Sequence, residues 1–233
     1  MPLKDQLIRT VRIDWSQVPQ DSYLRGILAL VRLEELELAG NITVFAGENG
    51  TGKSTLLEAI AVAAGFGREG GTFGFQFSTY DDVSPLHEAL TLVRGFARPQ
   101  AGAFLRAESF FNVATAALTE YDFDDTRDRP DWHKRSHGES FLSFLGRMRG
   151  RCLFLLDEPE AALSPARQLD LAAQIVERAG EGSQFIIATH SPIMLGIPGA
   201  QVLSFDEGHV HEVPWSETGA VRTMRDFLNE RLG

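Results

Sequence analysis

The chain has 233 residues, of which 43% are hydrophobic and 23% charged, and a formal net charge of -10. These proportions belong to a soluble globular protein with enough apolar residues for a substantial core. The acidic balance argues against a protein that wraps nucleic acid, because phosphate binding rests on Lys and Arg, and the single cysteine, Cys152, excludes an internal disulfide and fits a reducing compartment.

The opening segment, MPLKDQLIRTVRIDW, spreads charge along its length and has no uninterrupted apolar run, so a secretory leader is not expected and a cytoplasmic location is. The longest apolar runs, such as CLFLL from Cys152, are strand-sized and short of the ~18 residues of a spanning helix, so direct membrane insertion is not expected.

In chain order, LEELEL from Leu33 alternates with period two and reads as a half-buried strand. ITVFAG from Ile42 is apolar almost throughout, as are CLFLLD from Cys152 and QFIIATH from Gln184, with AQVLSF following from Ala200. Such runs suit strands covered on both faces and predict a mostly parallel central sheet. Between them, GKSTLLEAIAVAAG reads as a helix closing on Gly65. SPARQLDLAAQIVERAG has Ser164 as N-cap, Pro165 at the first helical position and an end at Gly180. The last amphipathic segment repeats Val221, Met224, Phe227 and Leu228 at helical spacing, which predicts a docked terminal helix. Regular alternation breaks down after Gly65, and a small helical lobe inserted over roughly 81–149 is expected, with the core at roughly 1–80 and 150–233, all in one domain.

The sharpest chemical signal is GENGTGKST, Gly47 to Thr55, between a strand and a helix. It fits G-x-x-x-x-G-K-[ST] in the context that pattern requires. Gly47, Gly50 and Gly52 permit a tight turn, so backbone N–H groups from Glu48, Asn49, Thr51 and Thr55 and the helix N-terminus can surround a phosphate. Lys53 would bridge the β- and γ-phosphates and Ser54 would ligate Mg²⁺. In CLFLLDEPE a buried strand delivers Asp157, placed to hold the Mg²⁺, and Glu158, placed to polarise the attacking water. His190 ends the next buried strand and could help to position that water. Arg106 and Glu108 lie between aromatics, and read either as an internal ion pair in an element packing Phe104, Phe110 and Phe111 or as groups facing the nucleotide.

GENGTGKST, SHGES, LLDEPEAALSP and ATHSP, in that order, resemble the Walker A, signature, Walker B with D-loop, and H-loop of an ABC-type ATPase. More narrowly, the chain is similar to small stand-alone bacterial ATPases of this type, which are also grouped with the AAA family. That resemblance implies a P-loop NTPase fold, Mg²⁺-dependent hydrolysis of ATP, and a head-to-tail homodimer formed on binding ATP. In such a dimer Ser136, Gly138 and Glu139 would meet the γ-phosphate bound to the opposite copy, with the helix that starts near Glu139 turning its N-terminal end toward that charge. His137 stands where transporter signatures usually have glycine, Glu139 where they usually have glutamine, and Ser164 where the D-loop usually has aspartate. The glutamine loop, a further metal contact, falls on Gln100, with Gln76 as the alternative, and Tyr23 is the candidate for stacking on adenine. The cycle would drive a conformational change in an unknown protein partner. A transporter's nucleotide-binding subunit and a DNA-repair or chromosome-associated clamp are the alternatives. Nucleic acid as a partner is possible but disfavoured by the charge.

Overall fold

The computed structural model describes residues 6–68, 70–73, 75–76, 84–106 and 137–232. In chain order these form strand β1 (Ile8–Ile13), the short helix α1 (Leu28–Val31), β2 (Glu35–Glu37), β3 (Ile42–Ala46), helix α2 (Lys53–Ala64), β4 (Gly71–Thr72), β5 (Phe75–Gln76), β6 (Leu90–Arg94) and β7 (Ala101–Arg106). Then come helix α3 (His137–Arg147), β8 (Cys152–Asp157), α4 (Pro165–Gly180), β9 (Gln184–Ala188), the short α5 (Pro192–Leu195), β10 (Gln201–Ser204), β11 (His211–Glu212) and α6 (Gly219–Leu232).

Among the described residues there are two sheets. The large one has the order β11-β10-β3-β9-β8-β7-β4-β5, and the small one β2-β1-β6. Neighbours from β10 through β3, β9 and β8 to β7 run parallel, with antiparallel pairs only at the two edges. The apolar runs explain this layout, because each strand feeds two cores through its alternate side chains. Along β8, Cys152, Phe154 and Leu156 join the core beneath α3 and α4, while Leu153 and Leu155 join the core beneath α2 and the small sheet. Along β9, Phe185 and Ile187 face the first core and Ile186 and Ala188 the second. Helices on both faces of a parallel sheet are the expected α/β arrangement. Gln184, wholly buried on β9, joins the two sheets: its Oε1 accepts the N–H groups of Leu7 at 3.1 Å and Ile8 at 2.7 Å, and its Nε2 donates to Ile8 O.

The expected helix limits are met closely. Gly65 ends α2 at a left-handed φ of 103°, and the Ser164 hydroxyl caps α4 by accepting the Arg167 N–H. Two expectations need correction. The lobe cannot begin at 81, because β6 pairs with β1 and β7 lies between β8 and β4 in the main sheet, so 84–106 is core. The terminal helix docks through Val221, which is buried, whereas Met224, Phe227 and Leu228 are 46%, 52% and 43% exposed. Its apolar stripe continues past the body it leans on. In α3, Phe144 and Leu145, with Met148 just beyond the helix, are buried beside Leu171 and Ile175 of α4. Residues 107–136, including Ser136 and Glu108, lie outside the described residues, as do the side chains of 137–141.

Candidate functional site

The site is assembled at the C-terminal ends of β3, β8 and β9. Between β3 and α2 the backbone passes through Gly47, Gly50 and Gly52 at φ of 144°, 80° and 101°, a conformation that favours residues without a side chain. At Gly52 space is an independent requirement, because a Cβ there would lie 2.6 Å from Ile27 Cγ2. The loop's entry is fixed by Asp206, just after β10, whose Oδ1 accepts the Glu48 N–H at 3.0 Å. Sequence reasoning passed over Asp206, which only the β10–β3 pairing brings to the loop.

Lys53 is 4% exposed and donates from Nζ to Gly47 O at 2.7 Å and Glu48 O at 2.9 Å. Burial pulls its ammonium below the ordinary 10.5, and the carboxylates of Glu158, Asp206, Asp157 and Glu48 oppose that shift. A cation held inside the loop it serves is ready to exchange carbonyl oxygens for phosphate oxygens.

The Ser54 hydroxyl donates to Asp157 Oδ1 at 2.8 Å. Adjacent oxygens around octahedral Mg²⁺ with its short bonds lie ~2.9 Å apart, so this pair fits the ion in donor type and spacing. Burial pushes the Asp157 carboxyl above the ordinary 3.8, against the opposing effects of the Ser54 hydrogen bond and Arg106. Its charge is therefore short of compensation, which favours a nearby cation.

One residue on, Glu158 takes a left-handed conformation, φ 49° and ψ 51°, with its N–H bonded to Ala188 O at 2.9 Å. A non-glycine residue in that region stores strain of about 1 kcal/mol or more. The turn sends Glu158 away from Asp157: its side chain is 46% exposed, and Oε1 lies 3.5 Å from His190 Nε2. The two acids thus occupy different environments, one buried against Ser54 and one open to water beside an imidazole.

A family model described as "AAA domain" matches residues 23–83, and a second, described as "AAA domain, putative AbiEii toxin, Type IV TA system", matches residues 117–195. The cytochrome c biogenesis ATP-binding export protein CcmA of Paracoccus denitrificans is 32% identical over 173 residues, covering 71% of this chain and 76% of that protein. The thiamine import ATP-binding protein ThiQ of Cereibacter sphaeroides is 33% identical over 195 residues, 70% of this chain and 79% of that protein. The chain belongs to the ABC-type ATPases. This family hydrolyses ATP, and the chain is an enzyme of that kind. The fold agrees with that of cbiO1 from Clostridium perfringens, part of the ABC transporter complex cbiONQ, at a TM-score of 0.53 and 17% identity, over 97% of this chain and 96% of that one.

Within this ABC-type ATPase, the structure brings Gly47 to Thr55, Asp157, Glu158 and His190 to one end of the sheet, where β3, β8 and β9 finish. Gln100 is not there. It precedes β7 at the opposite end, where its N–H donates to Arg151 O at 2.8 Å and its side-chain oxygen accepts the Arg151 N–H at 3.2 Å. Six residues of strand, at about 3.3 Å each, separate it from the level of Asp157, so Gln100 cannot share a metal with Ser54 and Asp157. Gln76, the alternative, sits on the edge strand β5. Tyr23 is 63% exposed on the turn ahead of Ile27, which packs against Gly52. Gly138 and Glu139 fall in the first turn of α3.

Two further residues emerge. Glu160 Oε1 accepts from Thr189 Oγ1 at 2.5 Å and from the N–H groups of His190 at 2.8 Å and Ser191 at 3.1 Å, so it fixes the chain that carries His190. Arg106 is level with Asp157 in the β7–β8 register, pairs with Glu58 of α2, and has Nε 3.6 Å from Asp157 Oδ2. Arg106 thus stands in an internal ion pair, with Glu58 and Asp157 as its partners, while Glu108 lies outside the described residues. Arg106→Met leaves both mostly buried carboxylates without their cation and should destabilise the protein by about 3 kcal/mol. Urea unfolding would read this as a lower midpoint at pH 7.5. The deficit should shrink as the pH falls and Asp157, already pushed up by burial, takes a proton.

Proposed function

We propose that this ATPase works as an ATP-dependent head-to-tail homodimer in the cytoplasm, with its hydrolytic cycle driving a conformational change in a protein partner. The observation that supports the reading is the difference in setting between two adjacent acids: Asp157 buried against Ser54, and Glu158 turned outward beside His190.

In this scheme the loop N–H groups and Lys53 hold the β- and γ-phosphates. Ser54 and Asp157 are the residues that would hold Mg²⁺, which would supply positive charge against the phosphate oxygens. Glu158 accepts a proton from the water that attacks the γ-phosphorus, as the bond from that phosphorus to the β,γ-bridging oxygen breaks and ADP leaves. His190, held by Glu160, positions the water and the γ-phosphate. Ser136, Gly138 and Glu139 of a second copy complete the site, and a bare backbone at Gly138 allows the close approach an anion needs.

Gly138→Asp tests the shared site, because it places a carboxylate where the scheme puts the γ-phosphate of the neighbouring copy. ATP affinity should stay within about threefold of wild type, while turnover falls at least about 100-fold and light scattering finds no ATP-dependent dimer. Wild-type turnover in this variant would remove the second copy from the mechanism.

A second reading, the nucleotide-binding subunit of a transporter, is supported by the likeness to CcmA and ThiQ, named as an export and an import ATP-binding protein. In that reading the ATPase would act on a membrane subunit; among the described residues no helix is long and apolar enough to cross a membrane. Co-purification of such a subunit from detergent-solubilised membranes would favour it. The net charge of -10 keeps nucleic acid the less favoured partner.

A further inference from the structure

Beyond the nucleotide site, the turn from β10 into β11 carries Glu207, His209 and His211, and one candidate ligand atom from each lies within 4.8 Å of the others. His209 and His211 are two apart on extended chain and so share a face, with rings stacked at 4.3 Å and 18°. His211 Nδ1 is buried without a hydrogen-bond partner. Glu207 and His209 are exposed, with His209 Nδ1 3.3 Å from the Glu207 carbonyl oxygen, while His211 is half-buried and fixed by strand pairing with Ser204.

We propose that this hairpin binds a Zn²⁺-class divalent cation through two imidazoles and the Glu207 carboxylate. Imidazole nitrogen favours Zn²⁺, Co²⁺, Ni²⁺ and Cu²⁺ over Mg²⁺ and Ca²⁺, and three protein ligands leave a fourth position for water. Ligand atoms around a tetrahedral ion of this size are ~3.4 Å apart, so the exposed side chains need to close by up to about 1.4 Å and the His209 ring to turn out of its stack, because each nitrogen's lone pair lies in its ring plane. The site is not remote from the chemistry. Glu207 follows Asp206, whose Oδ1 takes the Glu48 N–H and would lie 3.1 Å from a Cβ on Gly47. A cation that fixes Glu207 thereby steadies the turn that anchors the phosphate loop.

The test uses untagged, nucleotide-free protein stripped with chelator. Calorimetric titration with Zn²⁺ and visible spectroscopy with Co²⁺ should both find one equivalent, the latter with the intense d–d bands of four-coordinate cobalt. His209→Ala and His211→Ala should each weaken binding at least tenfold, whereas His190→Ala, in the nucleotide site, should keep it. No binding by the wild type, unchanged binding in both hairpin variants, or loss in His190→Ala would overturn the proposal. For the link to the loop, hydrogen exchange at the Glu48 amide should slow at least threefold on saturation with Zn²⁺ in wild type but not in His209→Ala. Unchanged exchange in wild type would overturn that link.

Discussion

Glu158→Gln is expected to bind ATP with near wild-type affinity, to lose turnover by about 10²–10⁴-fold, and to accumulate as a dimer in Mg-ATP. The substitution keeps the side chain's size and leaves the Glu158 N–H bond to Ala188 O in place, so the strained turn at φ 49° has no new reason to relax. What is removed is the carboxylate that takes the proton from water. Lys53, Ser54 and Asp157, which hold the nucleotide in the proposed scheme, are untouched, so binding and turnover separate. If hydrolysis is what releases the two copies, blocking it traps them together, and light scattering at saturating ATP measures the trapped mass directly. A variant that stays monomeric there defeats the shared-site scheme, and one that keeps wild-type turnover removes Glu158 as the base. Because the Glu158 side chain is 46% exposed, its own contribution to stability is small, and the melting temperature without nucleotide should move little.

The fold's parallel centre was legible because its strands are apolar on both faces. ITVFA, CLFLL and QFIIA read as strands buried on both faces, and the glycine-rich loop from Gly47 marks the end at which the proposed scheme puts the nucleotide. Strand β7 was not legible, for a physical reason. Its AGAFLR is rich in small residues because β7 is squeezed: a Cβ on Gly102 would lie 2.6 Å from Leu153 O and from Phe73 Cε2. The packing that makes it a central strand strips it of the β-branched residues by which strands are recognised. The same omission moved the lobe boundary to 81 and placed the glutamine-loop candidate at Gln100, the far end of an unseen strand from Asp157, while Arg106 is the residue level with Asp157. Glu160 and Asp206 escaped notice for another reason. Each acts across the sheet, on His190 and on Glu48 respectively, and no local pattern encodes a partner 30 or 158 residues away. The terminal helix shows the converse: periodicity reports an apolar stripe truly, but not whether anything lies against it.

Lys53 permits a sharper experiment than loss of activity. Lys53→Ala should raise the Kd for Mg-ATP by at least about 100-fold, because a buried cation's charge-assisted bonds to phosphate have no substitute in the loop. Such a loss could also come from a collapsed loop, since Nζ holds the Gly47 and Glu48 carbonyls. Lys53→Met separates the two causes. Burial lowers the ammonium's pKa from 10.5, so the folded state disfavours the charge. That penalty is fully present below the folded value and fades as the pH rises through it toward 10.5. Replacing the cation with an apolar chain of similar length removes the penalty and loses two hydrogen bonds, so the Tm without nucleotide should stay within a few degrees of wild type. Wild type with ATP at about 100 times Kd gains about 2.7 kcal/mol, a rise of roughly 5–10 °C for a chain of this size. The Met variant should show none of that rise. A variant that melts normally yet still gains stability from Mg-ATP would mean that the backbone N–H groups alone hold the phosphates, and the role given to Lys53 would have to be withdrawn.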